Sequence, residues 1–141
     1  MLFDMIRIVF NVPWNIKGLS LSLKKDSFRE GSVILEPYFV NNTRSAYAFG
    51  FPYSLEKKIN GKWYVLPDDP DVQYPMIGFY LAPNTDTSAV SDSDPMNFVW
   101  DLSDGYGQYG KLTAGEYRLV WELENETTDK TVSLFAEFKV K

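Results

Sequence analysis

Apolar and polar residues alternate with a period of two along much of the chain, and such alternation predicts half-buried β-strands. In the segment LSLSLK at residues 19–24, the leucines share one face and the serines the other. The segments YRLVWEL at 117–123 and TVSLFAEFKV at 131–140 follow the same pattern. No part of the sequence keeps a helical period between capping residues, so the sequence predicts an all-β fold.

Turn residues divide the alternating segments. Asn60 and Gly61 separate the strand-like segments SLEKKI and KWYVLP. This dipeptide predicts a β-hairpin, because both central residues of a type I′ turn need positive φ. Pro37 interrupts the mostly apolar segment SVILEPYFVNNT and indicates an edge strand or a bulge. The spacing of short strands and turns predicts an antiparallel β-sandwich of about seven to nine strands.

The segment LTAGEYRLV carries a glycine and a tyrosine at a spacing that suits the entry to a strand of a β-sandwich. In such folds, a tyrosine near the start of a late strand donates its hydroxyl to backbone a few residues upstream. Gly115 allows a tight turn with positive φ, and Tyr117 begins the strand on which Trp121 also lies. We interpret these three residues, together with Asn60 and Gly61, as residues that determine the fold.

Three segments of the chain resemble the bacterial immunoglobulin-like domain family, which occurs as small modules in Gram-positive proteins. They are YSLEKKINGKWYVLP, YGKLTAGEYRLV and LFAEFKVK. The resemblance runs from about Gly18 to Lys141 and implies an immunoglobulin-like β-sandwich with no catalytic signature. Through the pattern G-x-L-x-x-G-x-Y-R, the chain has a weaker similarity to an intracellular proteinase inhibitor family of bacilli.

The segment 1–17 has no counterpart in the bacterial immunoglobulin-like resemblance. Its apolar residues of one parity are Ile6, Ile8, Phe10, Val12 and Trp14. They predict either an ordinary first strand or an added strand that pairs with a sheet edge within the molecule or across a dimer. We expect an N-terminal strand or extension over 1–17 and the sandwich domain over 18–141.

Cysteine and histidine are both absent from the sequence. Disulfides, thiolate nucleophiles, Cys/His metal sites and histidine-dependent nucleophilic catalysis are therefore excluded. Paired carboxylates are the remaining catalytic apparatus, and no pair stands out from the other acidic residues. We predict a protein that is not an enzyme and needs no cofactor.

Charge is distributed unevenly along the chain, whose net charge is -5. Residues 63–110, named here the acidic segment, contain eight Asp and no Glu, Lys or Arg. This distribution disfavours binding to nucleic acid, which needs a basic surface. It predicts a protein partner with a basic surface, while a calcium site and a loop that only confers solubility remain as alternatives.

Two tyrosines in the Gly-rich stretch DGYGQYG complete the predicted contact surface, because tyrosine is favoured at interface hot spots and in binding loops. The predicted partner-binding residues are Asp68, Asp69, Asp71, Asp86, Asp92, Asp94, Asp104, Tyr106 and Tyr109.

The sequence favours a non-catalytic protein-binding or structural module. The first alternative is a stand-alone inhibitor, of a defence protein or a protease, that binds through its acidic face; the second is a calcium-binding sandwich. No segment approaches the roughly 18 consecutive apolar residues of a membrane-spanning helix. The start MLFDMIRIVFNVPW is a poor signal peptide. As written the chain is expected in the cytoplasm, or at the cell surface if a leader was removed.

Overall fold

The structure is a computed structural model that describes residues 16–67, 73–103 and 109–141. Within these residues the chain forms twelve strands. They are β1 Leu19–Leu23, β2 Ser27–Phe28, β3 Ile34–Leu35, β4 Pro37–Asn41, β5 Tyr47–Gly50, β6 Ser54–Ile59, β7 Lys62–Val65, β8 Gly78–Leu81, β9 Thr85–Asp86, β10 Trp100–Asp101, β11 Gly115–Asn125 and β12 Thr131–Val140. Four of these strands are two residues long, and the other eight have four residues or more.

The hairpin of β11 and β12 forms the centre of the larger sheet. The two strands pair at ten consecutive positions, from Gly115 opposite Val140 to Glu124 opposite Thr131. On its other side β11 pairs with β6 and, towards its end, with β5. β7 extends the sheet beyond β6, and β8 extends it beyond β5. The chain between β7 and β8 therefore leaves one flank of the sheet and returns to the same flank.

The smaller sheet has the strand order β1-β4-β9, and a separate ribbon joins β3 to β10. Pro37 is the first residue of β4, the middle strand, so it does not lie in an edge strand. At the first position of a strand, the missing N–H of proline is tolerated. Glu36 separates β3 from β4, and the two halves of this apolar segment pair with different partners.

One pair departs from the predicted antiparallel arrangement. After β1 the chain crosses to the larger sheet, where β2 runs parallel to the end of β12. The N–H groups of Lys139 and Lys141 donate to the carbonyl oxygens of Asp26 and Phe28 at 2.9 and 2.8 Å. The other pairs between the described strands are antiparallel.

The core lies between the two sheets and is centred on Trp121. Its ring centroid lies 5.1 Å from that of Phe39 on β4 and 5.0 Å from that of Phe49 on β5. The indole Nε1 donates to the carbonyl oxygen of Gly50 at 2.8 Å. The other apolar residues on the same face of β11 are also buried, as their alternation predicts: Tyr117, Leu119 and Leu123.

Asn60 and Gly61 form the predicted turn, whereas Gly115 has the predicted positive φ but lies in a strand instead of a tight turn. Asn60 and Gly61 have φ values of 52° and 79° and join β6 to β7. Gly115 has a φ of 156° at the start of β11. The hydroxyl of Tyr117 donates to the carbonyl oxygen of Thr113 at 2.6 Å, and so ties the entry of β11 to the connection before it.

The described residues contain no helix that is long and apolar enough to cross a membrane. Of the predicted N-terminal strand, residues 1–15 lie outside the described part of the chain. Ile16, the first described residue, forms a single bridge to Leu19.

Candidate functional site

The structure describes part of the predicted contact surface. Asp68, Asp69, Asp71, Asp104 and Tyr106 lie outside the described residues. The other predicted contact residues lie in or beside the connections that follow β8: Asp86, Asp92, Asp94 and Tyr109.

The described aspartates shape the turns in which they lie. The Oδ1 atom of Asp86 accepts the N–H of Ser88 at 2.8 Å, and that of Asp94 accepts the N–H of Met96 at 2.8 Å. The carboxylate of Asp92 accepts the side-chain amide of Asn97 at 3.4 Å. These are local turn contacts of the kind that Asp commonly makes. They leave the negative charges without a cationic partner among the described residues.

Two aspartates of this region have lowered pKa values. Hydrogen bonds from the side chain and then the backbone of Ser88 lower the pKa of Asp86. Hydrogen bonds from the side chain and then the backbone of Ser103 lower the pKa of Asp101 in the same way. Because these donors favour the charged form, both carboxylates stay ionised to a lower pH than an ordinary aspartate.

Tyr109 packs against the body of the domain. Its hydroxyl donates to the carbonyl oxygen of Tyr53 at 3.1 Å, and the two ring centroids are 5.8 Å apart. Tyr53 in turn stacks on Trp100 at a centroid distance of 4.0 Å. Tyr109 is half-buried in this arrangement, and its role as a contact residue stays a prediction.

The described part of the chain brings no three acidic residues together in a group that could hold a metal ion. The calcium hypothesis depends on two aspartate clusters, and one of them, Asp68, Asp69 and Asp71, lies outside the described residues. The other, Asp92 and Asp94, is described and makes the turn contacts given above.

Exposed apolar side chains are the feature of this region that the sequence prediction missed. The large hydrophobic residues exposed in the described parts of the chain are Ile16, Ile34, Met76, Ile77, Tyr80 and Val99. Four of these six belong to the acidic segment. Met76 is fully exposed, and Ile77 and Tyr80 are 53% and 60% exposed.

Three of these exposed residues lie at or just before β8. Phe79 and Leu81 point into the core and are buried, whereas Tyr80 points to the solvent side of the larger sheet. The alternation in MIGFYLAP predicts this strand. It does not predict which of its two faces is covered, because that depends on strands far away in the sequence.

Carboxylates lie on the same outer face of the sheet as Tyr80, two strands away. In the register, Tyr80 is opposite Ala48 on β5, and Ala48 is opposite Glu124 on β11. Neighbouring strands are about 4.8 Å apart, so Glu124 lies roughly 10 Å across the face from Tyr80. Glu122 and Glu124 are exposed on β11. Tyr80 therefore stands beside the small side chain of Ala48, with acidic residues beyond it.

An ion pair is buried on the same outer face. Arg118 on β11 pairs with Glu56 on β6, and the two residues are 9% and 4% exposed. The guanidinium lies 4.3 Å from the ring centroid of Trp63 and 4.4 Å from that of Phe135. Alternation assigns both ionic residues to the solvent side, and the aromatic rings beside them account for their burial. We regard this pair as structural, because its groups satisfy each other.

Two packed sheets, a core formed between them and the hydrogen bond of Tyr117 together define an immunoglobulin-like β-sandwich. The chain belongs to the bacterial Ig-like domain family, whose model, described as a bacterial Ig-like domain, matches residues 15–139. The expected family is thereby confirmed. No curated protein and no solved structure gives a significant match to the chain. Domains of this family are generally non-catalytic, which fits a module rather than an enzyme.

Proposed function

We propose that this domain is a non-catalytic protein-binding module that contacts a basic partner through β8 and the acidic connections around it. The observation that carries this proposal is the exposure of Met76, Ile77 and Tyr80 within a segment that has no basic residue. Solvent-exposed apolar residues grouped in one region mark interaction sites more often than residues scattered singly.

The composition of this region fits the anatomy of protein interfaces. Tyrosine and methionine are enriched in the centres of interfaces, while the rims are polar. Tyr80 and Met76 supply apolar anchors of this kind, and Asp86 and Glu124 supply exposed acidic groups. The partner surface that fits best has an apolar centre and a basic rim.

Charge supports a basic partner. The acidic segment carries -8, from eight Asp and no Lys or Arg. The rest of the chain carries fourteen basic and eleven acidic residues, or +3. A surface of one sign accelerates association with a partner of the opposite sign, and salt screens that attraction.

The proposal can be tested by capture of partners from bacterial lysate and cell-wall fractions, with three matched variants. The apolar variant carries Met76→Ser, Ile77→Thr and Tyr80→Ser. The charge variant carries Asp86→Asn, Asp92→Asn and Asp94→Asn, in which the side-chain oxygen can still accept the turn hydrogen bonds. The control is Ile34→Ser, which removes an exposed apolar residue outside the acidic segment.

A partner of this surface should bind the wild type and the control. Its binding should be lost in the apolar variant and weakened in the charge variant. Its affinity for the wild type should also fall as salt is added. Equal capture by the wild type and both variants would refute the proposal and leave the acidic segment with a solubilising role.

A further inference from the structure

The flank of the larger sheet at β8 is an open edge in the described part of the chain. β8 pairs with β5 along four positions, from Gly78 opposite Gly50 to Leu81 opposite Tyr47. No described strand pairs with the other side of β8. In an antiparallel pair, alternate residues direct their N–H and C=O groups away from the partner strand. β8 therefore offers backbone donors and acceptors along this edge, except that the carbonyl oxygen of Leu81 accepts the side-chain amide of Asn41 at 3.4 Å.

β8 also lacks the usual devices that keep sheet edges from pairing. Natural edge strands are commonly protected by charged side chains, above all lysine, or by proline. The neighbouring strand β7 on the same flank has Lys62 as its first residue, whereas β8 has the sequence GFYL, without charge or proline. The exposed residues Ile77 and Tyr80 add apolar surface beside the open edge.

We propose that an extended segment of a partner protein, with basic and apolar residues in alternation, adds to the larger sheet as a strand along β8. Main-chain hydrogen bonds would provide affinity, and alternate side chains would provide specificity. Because successive side chains of a strand point to opposite faces, the apolar residues of the added strand would continue the inner face of the sheet beside Phe79 and Leu81. Its basic residues would lie on the outer face, which also carries Tyr80 and Glu124. This inference rests on the proposed function and specifies how the partner binds.

The charge of the region decides between a basic segment and a second copy of this chain. Pairing of β8 with β8 of another copy would bring together two chains of net charge -5, and neither β8 has a basic residue to offset that charge. Like charges at an interface oppose association. A segment with Lys or Arg at alternate positions meets no such repulsion.

The first experiment measures binding of short synthetic peptides to the whole chain by fluorescence anisotropy. The test peptide alternates Lys and Val. One control alternates Glu and Val, and a second keeps Lys and Val but carries methyl groups on its backbone nitrogens. The methylated peptide has the same side chains and charge but cannot donate ladder hydrogen bonds. We expect each control to bind about tenfold or more weakly than the test peptide.

The second experiment measures amide hydrogen exchange on the whole chain with and without the test peptide. Alternate amides of Gly78–Leu81 should exchange fast in the free protein and slow down on binding. Slow exchange of all these amides in the free protein would show that the edge is already paired and would overturn the inference. Equal binding of the methylated peptide, or no binding of the test peptide, would also overturn it.

The outcomes separate this inference from the proposed function. One possible result is that a natural partner binds the wild type and not the apolar variant, yet does not slow the hydrogen exchange of the β8 amides. This result would support the proposed surface and refute strand addition. Loss of the test peptide in Tyr80→Lys, with retention in Ile34→Ser, would place the peptide at β8. A peptide that binds both variants equally would place it elsewhere and refute strand addition at this edge.

Discussion

The hairpin of β11 and β12 differs from the acidic segment in how its strands pair and in where its apolar residues lie. The hairpin pairs at ten consecutive positions and alternates buried apolar with largely polar residues along its length. The described parts of the acidic segment contain short strands, several turns held by aspartate side chains and most of the exposed apolar residues. The hairpin provides the framework of the fold. The acidic segment carries exposed apolar residues that the stability of the fold does not require.

The strongest test of this comparison replaces a central residue of the framework. Trp121→Ala removes a buried ring and its hydrogen bond to Gly50. Truncation of a buried aromatic residue costs about 3–5 kcal/mol in the free energy of unfolding. Urea denaturation should show a loss of this size. Tyr80→Ala is the matched change in the acidic segment and should shift stability by less than about 0.5 kcal/mol, because Tyr80 is exposed. Similar losses at both positions would contradict the division into framework and contact surface.

The buried ion pair should behave as part of the framework. Arg118→Met leaves the carboxylate of Glu56 buried without its partner, and removal of one member of such a pair costs about 3 kcal/mol or more. Combining Arg118→Met with Glu56→Leu removes both charges and should recover much of this loss. A double-mutant cycle measured by urea denaturation gives the coupling energy. A cycle with no coupling would show that the pair behaves like an exposed surface pair.

The hydrogen bond at the entry to β11 should have a smaller effect. Tyr117→Phe keeps the buried ring but removes the hydroxyl that donates to the carbonyl oxygen of Thr113. The expected loss is about 1 kcal/mol, the usual net contribution of one such hydrogen bond. Thermal unfolding of this variant beside the wild type measures it. An unchanged midpoint would mean that water replaces the lost contact at no cost.

The smallest expected effect concerns the pH dependence of the acidic segment. Asp86 has a lowered pKa in the folded chain, so its contribution to stability is complete above the unfolded pKa of about 3.9 and is lost as pH falls through the folded value. Titration followed by NMR should show the carboxylate of Asp86 titrating below the ordinary range. In Ser88→Ala the side-chain donor is gone, and the pKa should rise towards the ordinary value. An identical pKa in both proteins would contradict the assigned cause.

Local sequence patterns predicted the framework well. The dipeptide Asn60-Gly61 predicted the hairpin of β6 and β7, and the spacing of Gly115 and Tyr117 predicted the hydrogen bond at the start of β11. Alternation predicted the buried face around Trp121. These features depend on residues that are neighbours in the chain or opposite each other in a hairpin, so short segments contain the necessary information.

The candidate contact surface could be predicted only in part. The acidic composition of residues 63–110 is visible in the sequence, but the exposure of Tyr80 depends on β8 lying at a flank of the sheet. The parallel pairing of β2 with β12 and the burial of Arg118 beside Trp63 also depend on long-range order. Period-two alternation assigns residues to two faces and carries no information on which strands become neighbours.

The chain leaves β7 and enters β8 on the same flank of the sheet. This arrangement affects which sequence changes such a domain can accept. Both strands are held in register by the adjoining strands β5 and β6, so the connection between them does not set the alignment of the sheet. Loop-closure entropy rises only slowly with length, by about 0.6 kcal/mol for each doubling. This connection can therefore accept inserted or exchanged sequences while the sandwich is retained, and it offers a natural position for grafting new recognition loops onto the scaffold.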